Sequence, residues 1–89
     1  MIKKIRVFSS VNCPDCRKLE EFFKDARLCD VFALEKIDAF SEDEKIQEFC
    51  DKNNVDIVPH IQLIDDKGDI QEEFIGFDAW YEYMLEQFK

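Results

Sequence analysis

The chain has 89 residues, with 12 Lys and Arg against 21 Asp and Glu for a formal charge of −9, and it is 46% hydrophobic with nine Phe. So much apolar and aromatic side chain excludes a disordered polyanion, and the length allows one domain over residues 1–89 with one core. The acidic balance repels phosphate backbones, which argues against a nucleic-acid partner.

No apolar run approaches the roughly 18 to 20 residues that cross a bilayer. The opening MIKKIRVFSSV lacks the uninterrupted apolar stretch of a secretory signal. A soluble cytoplasmic monomer with no membrane partner is expected. Charge is spread unevenly, however. Residues 1–27 hold seven basic and four acidic side chains, whereas residues 28–89 hold five basic and seventeen acidic, so the first third is locally electropositive. The acidic remainder reads as solvated helix faces.

In chain order, Ile5 to Phe8 is a short apolar run broken only by Arg6, followed by Ser9 and Ser10, and predicts a buried strand that ends in a loop. From Pro14 the pattern turns helical, with Leu19, Phe22, Phe23 and Ala26 spaced to face the core. Val31 to Ile37 predicts a second strand. Ser41-Glu-Asp-Glu44 has the form of a capping box, and Ile46, Phe49 and Cys50 continue that helix until Asn53-Asn54.

Pro59 precedes an alternating segment with Ile61 and Leu63 inward, and Asp65-Asp-Lys-Gly68 predicts a hairpin turn in which Gly68 supplies a positive φ. Ile70 to Ile75 returns as the partner strand. Gly76 breaks it, Asp78 is placed to cap a last helix, and Tyr81, Met84, Leu85 and Phe88 give that helix its apolar stripe. The order is β-α-β-α-β-β-α, in which the helical crossover makes the first two strands parallel and the hairpin is antiparallel.

Of four cysteines, Cys13 and Cys16 form the one close pair, at the point where the first strand's loop feeds the first helix. A thiol there faces unpaired backbone N–H groups and the positive end of the helix dipole, both of which favour thiolate. The second sulfur, one turn on, lies within disulfide reach, and Pro14 suits a first-turn position. Arg17 and Lys18 add positive charge nearby, while Asp15 opposes it. A Cys-x-x-Cys pair that opens a helix directly after a strand points to redox chemistry.

A zinc site would need Cys29 and Cys50 to converge on the pair, and their spacings do not form a second Cys-x-x-Cys, so no metal is expected. Cys50 sits on an apolar stripe as a small core residue, and Cys29 falls between helix and strand. His60 follows Pro59 within range of the pair, but is expected to be a strand-edge histidine without chemical duty. Trp80 and most Phe residues are expected in the core.

In this order the pieces resemble the thioredoxin and glutaredoxin superfamily along essentially the whole chain. They are the strand into Phe8-Ser9, Cys13-Pro14-Asp15-Cys16, Val58-Pro59 before the third strand, and Gly76-Phe77-Asp78 before the last helix. The resemblance implies a thioredoxin-like α/β fold, a four-stranded mixed sheet flanked by three helices, with a cis bond before Pro59. It also implies that Val58 and Pro59 lie beside Cys13, that the Val58 backbone pairs with an extended substrate, and that Gly76, Phe77 and Asp78 border the same site.

The segment F-S-x-x-x-C-P-x-C is similar to glutaredoxins. The Gly-Gly pair of that pattern is Ile75-Gly76 here, and its Lys three residues before the first cysteine is Ser10, which implies weak glutathione recognition. Val7 stands where many thioredoxins carry a buried Asp, so proton transfer at Cys16 needs water or another group.

The function expected is a dithiol thiol–disulfide oxidoreductase that reduces protein disulfides. Cys13 is the nucleophile and Cys16 the resolving thiol, with Asp15 and Arg17 tuning the thiolate. Val58, Pro59, Gly76, Phe77 and Asp78 are expected at the substrate. Expected partners are disulfide-containing proteins and, for recycling, a thioredoxin reductase or the glutathione system, with no tightly bound cofactor. The alternative is a thioredoxin-like binding module, or a glutathione-assisted iron–sulfur carrier without dithiol turnover.

Overall fold

The architecture was obtained as a computed structural model and describes residues 1–87. Strand β1 (Ile2–Ser9) is longer than the apolar run Ile5–Phe8, because Lys4 and Arg6 also lie in it and pair across to Glu35 on the next strand. Helix α1 (Pro14–Asp25) follows, then a single 3₁₀ turn (Leu28–Asp30) entered through Arg27 at φ +53°. Strand β2 (Ala33–Asp38) starts two residues later than expected, because Val31 ends that turn and is exposed.

The remaining elements are α2 (Glu44–Lys52), β3 (His60–Asp65), β4 (Ile70–Ile75) and α3 (Phe77–Gln87). Strand order is β2-β1-β3-β4, with β1 parallel to β2 and antiparallel to β3, and with β3 antiparallel to β4. The four-stranded mixed sheet and three helices match the expected thioredoxin-like α/β fold.

The period-2 alternation of the two inner strands divides the sheet into two faces. Ile5, Val7, Ile61 and Leu63 join Leu19 and Phe23 of α1 and Trp80 and Met84 of α3 in the main core. Trp80, 1% exposed, anchors it, with the rings of Phe22, Phe23 and Phe74 edge-on at 5.5 to 6.2 Å. Burying such side chains contributes about 1.5–3 kcal/mol each. On the opposite face Phe8 meets Phe49 of α2 at 5.8 Å, and Arg6 lies 4.8 Å over the same ring.

Several local expectations are corrected. Ala26 is the exposed C-cap of α1 rather than a core residue. The cap of α2 is Asp43, whose carboxylate accepts from the Lys45 amide at 2.9 Å, while Ser41 Oγ accepts from the Asp43 amide one step earlier. An Asx-type cap two residues closer to the apolar face thus displaces the Ser41–Glu44 box. Helix α3 begins at Phe77, so Asp78 lies inside its first turn and does not cap it.

The buried face of α3 runs through Trp80 and Met84 with half-buried Phe77 and Tyr83, while Tyr81 and Leu85 are exposed. Phe88 lies outside the described residues. The Asp65–Gly68 turn forms as expected: Gly68 is at φ +88°, and Asp65 Oδ1 accepts from the amides of Lys67 and Asp69 at 2.9 Å each. Among the described residues no helix is long and apolar enough to cross a membrane.

Candidate redox site

β1 delivers the chain to the end of the sheet, and the loop after Ser9 turns directly into α1. Cys13 is the N-cap of that helix rather than its first residue, with φ −107° and ψ 112°, and Pro14 takes the first turn. The N-cap side chain is the one placed to accept an orphan amide of the first turn. Cys13 Sγ does so, at 3.2 Å from the Cys16 backbone nitrogen. A hydrogen bond from N–H to sulfur, at the positive end of a helix dipole, favours an anion on that sulfur. The Cys13 thiol also points 3.8 Å from the Val58 carbonyl oxygen.

The two sulfurs occupy unlike surroundings. Cys13 is half-buried, whereas Cys16 is 3% exposed. Burial pushes the Cys16 thiol up to about 12, the thiol contact with Cys13 and the charges of Cys13 and Glu20 push the same way, and the Ser10 backbone amide opposes them. The pair is therefore one accessible sulfur with a hydrogen-bond donor and one protonated sulfur behind it. All four cysteines are free thiols, with Cys29 exposed and Cys50 buried. Burial, reinforced by Asp51 and Asp38, raises the Cys50 thiol as well.

The other residues singled out in the sequence fall as follows. The Val58–Pro59 bond is cis, and the Pro59 carbonyl accepts the Gly76 amide at 2.8 Å, which ties the start of α3 to the loop against Cys13. Gly76 sits at φ +91°, a backbone region that side chains disfavour although open space surrounds its Cα. Phe77 stacks on Tyr81 at 5.7 Å and meets Phe22 edge-on at 6.4 Å. Asp78 is exposed. Asp15 pairs with Lys18 at 3.7 Å, both well solvated, and Arg17 Nη2 donates to the Val11 carbonyl at 3.3 Å, bracing the loop before Cys13. Val11, Ile57 and Ile75 are 74%, 60% and 57% exposed, each adjoining one of these loops.

His60 departs from the expectation of a strand edge. β3 lies inside the sheet, so the ring is buried, edge-on to Phe8 at 5.6 Å. Its Nε2 lies 2.6 Å from Glu73 Oε2, which also accepts from Gln62 Nε2 at 3.3 Å. The His60 bond is the largest influence holding the Glu73 carboxyl below its usual range. Sequence reasoning missed this network, and also a pair between Glu20 of α1 and Lys36 of β2 beside Cys16. Both pairs join residues more than ten positions apart, so no local sequence signal announces either. Among the described residues no group of three or more His, Cys, Asp or Glu is placed to hold a metal ion.

No protein-family model matches the chain, and a search of curated proteins also gave no match. Solved structures do match. Oxidised thioredoxin O2 from Arabidopsis thaliana superposes with a TM-score of 0.73 at 20% identity, over 97% of this chain and 74% of that one. Reduced thioredoxin preprotein from Schistosoma mansoni gives 0.70 at 22% identity, over 97% and 78%. Plasmodium falciparum thioredoxin gives 0.68 at 17%, over 97% and 81%. A cysteine pair at the first turn of α1, beside a Val58–Pro59 loop at the end of a β2-β1-β3-β4 sheet, is thus carried by a chain with the thioredoxin fold.

Proposed function

We propose that the protein is a dithiol thiol–disulfide oxidoreductase that reduces protein disulfides. The observation that carries this reading is the asymmetry of the pair: Cys13 Sγ accepts the Cys16 amide at 3.2 Å, while the Cys16 thiol is buried behind it. Cys13 as thiolate attacks one sulfur of a substrate disulfide, the other sulfur leaves as thiolate, and a mixed disulfide forms. Cys16 then attacks the Cys13 sulfur, the Cys13–Cys16 disulfide forms, and the substrate departs with both sulfurs reduced. Two electrons pass to the substrate, and a thioredoxin reductase or glutathione restores the dithiol.

The exposed apolar side chains Val11, Ile57 and Ile75 beside the cysteine loops suit an extended peptide segment as substrate, with Val58, Pro59, Gly76, Phe77 and Asp78 around it. In this reading Asp15 and Arg17 tune the Cys13 anion, no cofactor is tightly bound, and the protein works as a cytoplasmic monomer.

The test is a pair of substitutions assayed on a protein disulfide. Cys13→Ser abolishes turnover, and Cys16→Ser accumulates covalent complexes visible by mass spectrometry of the intact protein. Turnover by Cys16→Ser at the parent's rate on protein disulfides would replace the dithiol mechanism with a monothiol one.

A further inference from the structure

The apolar positions of α3 fall on two stripes, and the core uses only one of them. Trp80 and Met84 face the sheet, whereas Tyr81 and Leu85 are 42% and 51% exposed. Phe77 stacks on Tyr81 at 5.7 Å, and Phe22 of α1 meets these two rings edge-on at 6.4 and 6.1 Å. Leu85 follows Tyr81 by one turn on the same face. Exposed Ile75 stands just before Gly76, whose amide bonds the Pro59 carbonyl at 2.8 Å, on the loop that sets the Val58 carbonyl oxygen 3.8 Å from Cys13 Sγ. The outer strip therefore starts at the redox site. From Phe77 to Leu85 it runs about 12 Å along the helix, at 1.5 Å per residue. Single exposed apolar side chains are ordinary, but a continuous row of them marks an interaction surface.

Each member of the row on α3 is followed at once by an exposed acid: Phe77 by Asp78, Tyr81 by Glu82, and Leu85 by Glu86. One residue turns a helix by about 100°, so the three carboxylates form a second line alongside the apolar one. Helix α3 carries no basic residue over Phe77–Gln87. Across the row on α1, Lys18 lies one turn before Phe22 and is engaged with Asp15. A second copy of this face would set acid against acid, and an anionic surface would be repelled. The complementary partner supplies apolar side chains to the middle of the strip and cations to its edge.

We propose that the outer strip of α3 docks a basic amphipathic helix of the protein whose disulfide is reduced. The helix lays its apolar face on Phe22, Phe77, Tyr81 and Leu85, and its Lys or Arg side chains meet Asp78, Glu82 and Glu86. Because the strip leads from the Gly76–Pro59 contact, a helix seated on it holds the neighbouring disulfide close to Cys13. Affinity and encounter rate then depend on a surface that the thiol chemistry itself does not touch.

The proposal rests on the dithiol reading, and the experiment separates the two. Three probes share one short cyclic disulfide peptide: the first is untailed, the second carries a helical tail of Leu and Lys, and the third carries the same tail with Glu in place of Lys. Each is mixed at low concentration with the fully reduced protein in a single turnover, and the peptide dithiol is timed by acid quench and mass spectrometry. In low salt the Lys-tailed probe reacts about tenfold faster than the Glu-tailed one, the worth of three exposed ion pairs. At about 1 M salt, where the screening length is about 3 Å, the two rates converge. Glu82→Lys slows the Lys-tailed probe severalfold and so does Leu85→Ser, while the untailed probe keeps the parent's rate in both variants. Equal rates for the two tails in the parent, or a Lys-tail rate that either substitution leaves unchanged, overturns the docking strip. Failure of the parent to reduce even the untailed probe overturns the dithiol reading itself.

Discussion

Alkylation of Cys16 offers a quantitative check on the asymmetry of the pair. A thiol raised from 9.0 to about 12 differs by three units, or about 4 kcal/mol between its two protonation states. At pH 8 about one part in 10⁴ of it is thiolate, against about one part in ten for an unperturbed thiol of the same reference, so iodoacetamide should react about 10³-fold more slowly. Two of the influences that raise Cys16 come from Cys13, through the thiol contact and its charge, although burial is the largest. Cys13→Ala removes both, so the Cys16 value should fall while staying above that of a free thiol. The same release occurs when Cys13 enters a mixed disulfide, which readies the resolving thiol only when there is something to resolve. Peptide mapping of the reduced protein after timed alkylation from pH 7 to 11 reads both quantities. Alkylation of Cys16 within tenfold of free cysteine at pH 8, or a rate untouched by Cys13→Ala, would refute this account of the pair.

Asp15 is solvated and paired with Lys18, so its effect on the Cys13 anion belongs to the high-dielectric regime, where a charge about 6 Å away is worth about 0.7 kcal/mol. Asp15→Asn should raise the Cys13 alkylation rate at pH 7 by no more than about threefold and make the couple slightly more oxidising, and an unchanged rate leaves Asp15 a partner of Lys18 alone. Ile75→Gly with Ser10→Lys should improve glutathione-dependent turnover, because a bare backbone and a cation replace an exposed side chain and a neutral one; efficient glutathione turnover by the parent rejects this. Burial works against ionised Glu35, yet its bonds to Arg6 and Lys4 hold its carboxyl below the usual range. A carboxyl lowered by folding contributes stability above its unfolded value and loses it as pH falls through the folded one. Thermal unfolding from pH 7 down to pH 3 should therefore lose less in Glu35→Gln than in the parent, and parallel slopes contradict it.

What was legible in the sequence was whatever depends on neighbours a few residues apart. The Cys13–Cys16 pair, the Gly68 turn and the existence of every strand and helix are of this kind. The apolar stripe of α3 shows the limit: Tyr81, Met84 and Leu85 fit helical spacing as well as Phe77, Trp80 and Met84 do. Only tertiary packing, with Trp80 ringed by Phe22, Phe23 and Phe74, chooses between the two faces. The Glu20–Lys36 pair needs the parallel register that sets Lys36 beside Val7, and the His60–Glu73 contact needs the hairpin register that sets Gln62 opposite Glu73. Neither register is written in a local window. Cutting the strand at Ile5 had a similar origin, because Lys4 reads as polar loop until Glu35 arrives from β2.

The two-residue spacer between the cysteines decides the chemistry through helix geometry. An N-cap side chain reaches the amide two or three residues on, because the first turn brings those N–H groups round to it. With Cys13 at the cap, Pro14 and Asp15 fill the first two positions and Cys16 supplies the third, so the amide bonded to the Cys13 sulfur belongs to the residue that later displaces substrate from it. Shortening the spacer by one residue would rotate the second side chain by about 100° around the helix, away from the core side where Leu19 and Phe23 follow Cys16. Lengthening it by one would carry the second cysteine beyond the capping amides and turn it the other way. One arrangement thus holds the attacking sulfur half-exposed with a donor and buries the resolving sulfur with its proton. The local chain can satisfy both only with two residues between the cysteines and a helix that starts at Pro14.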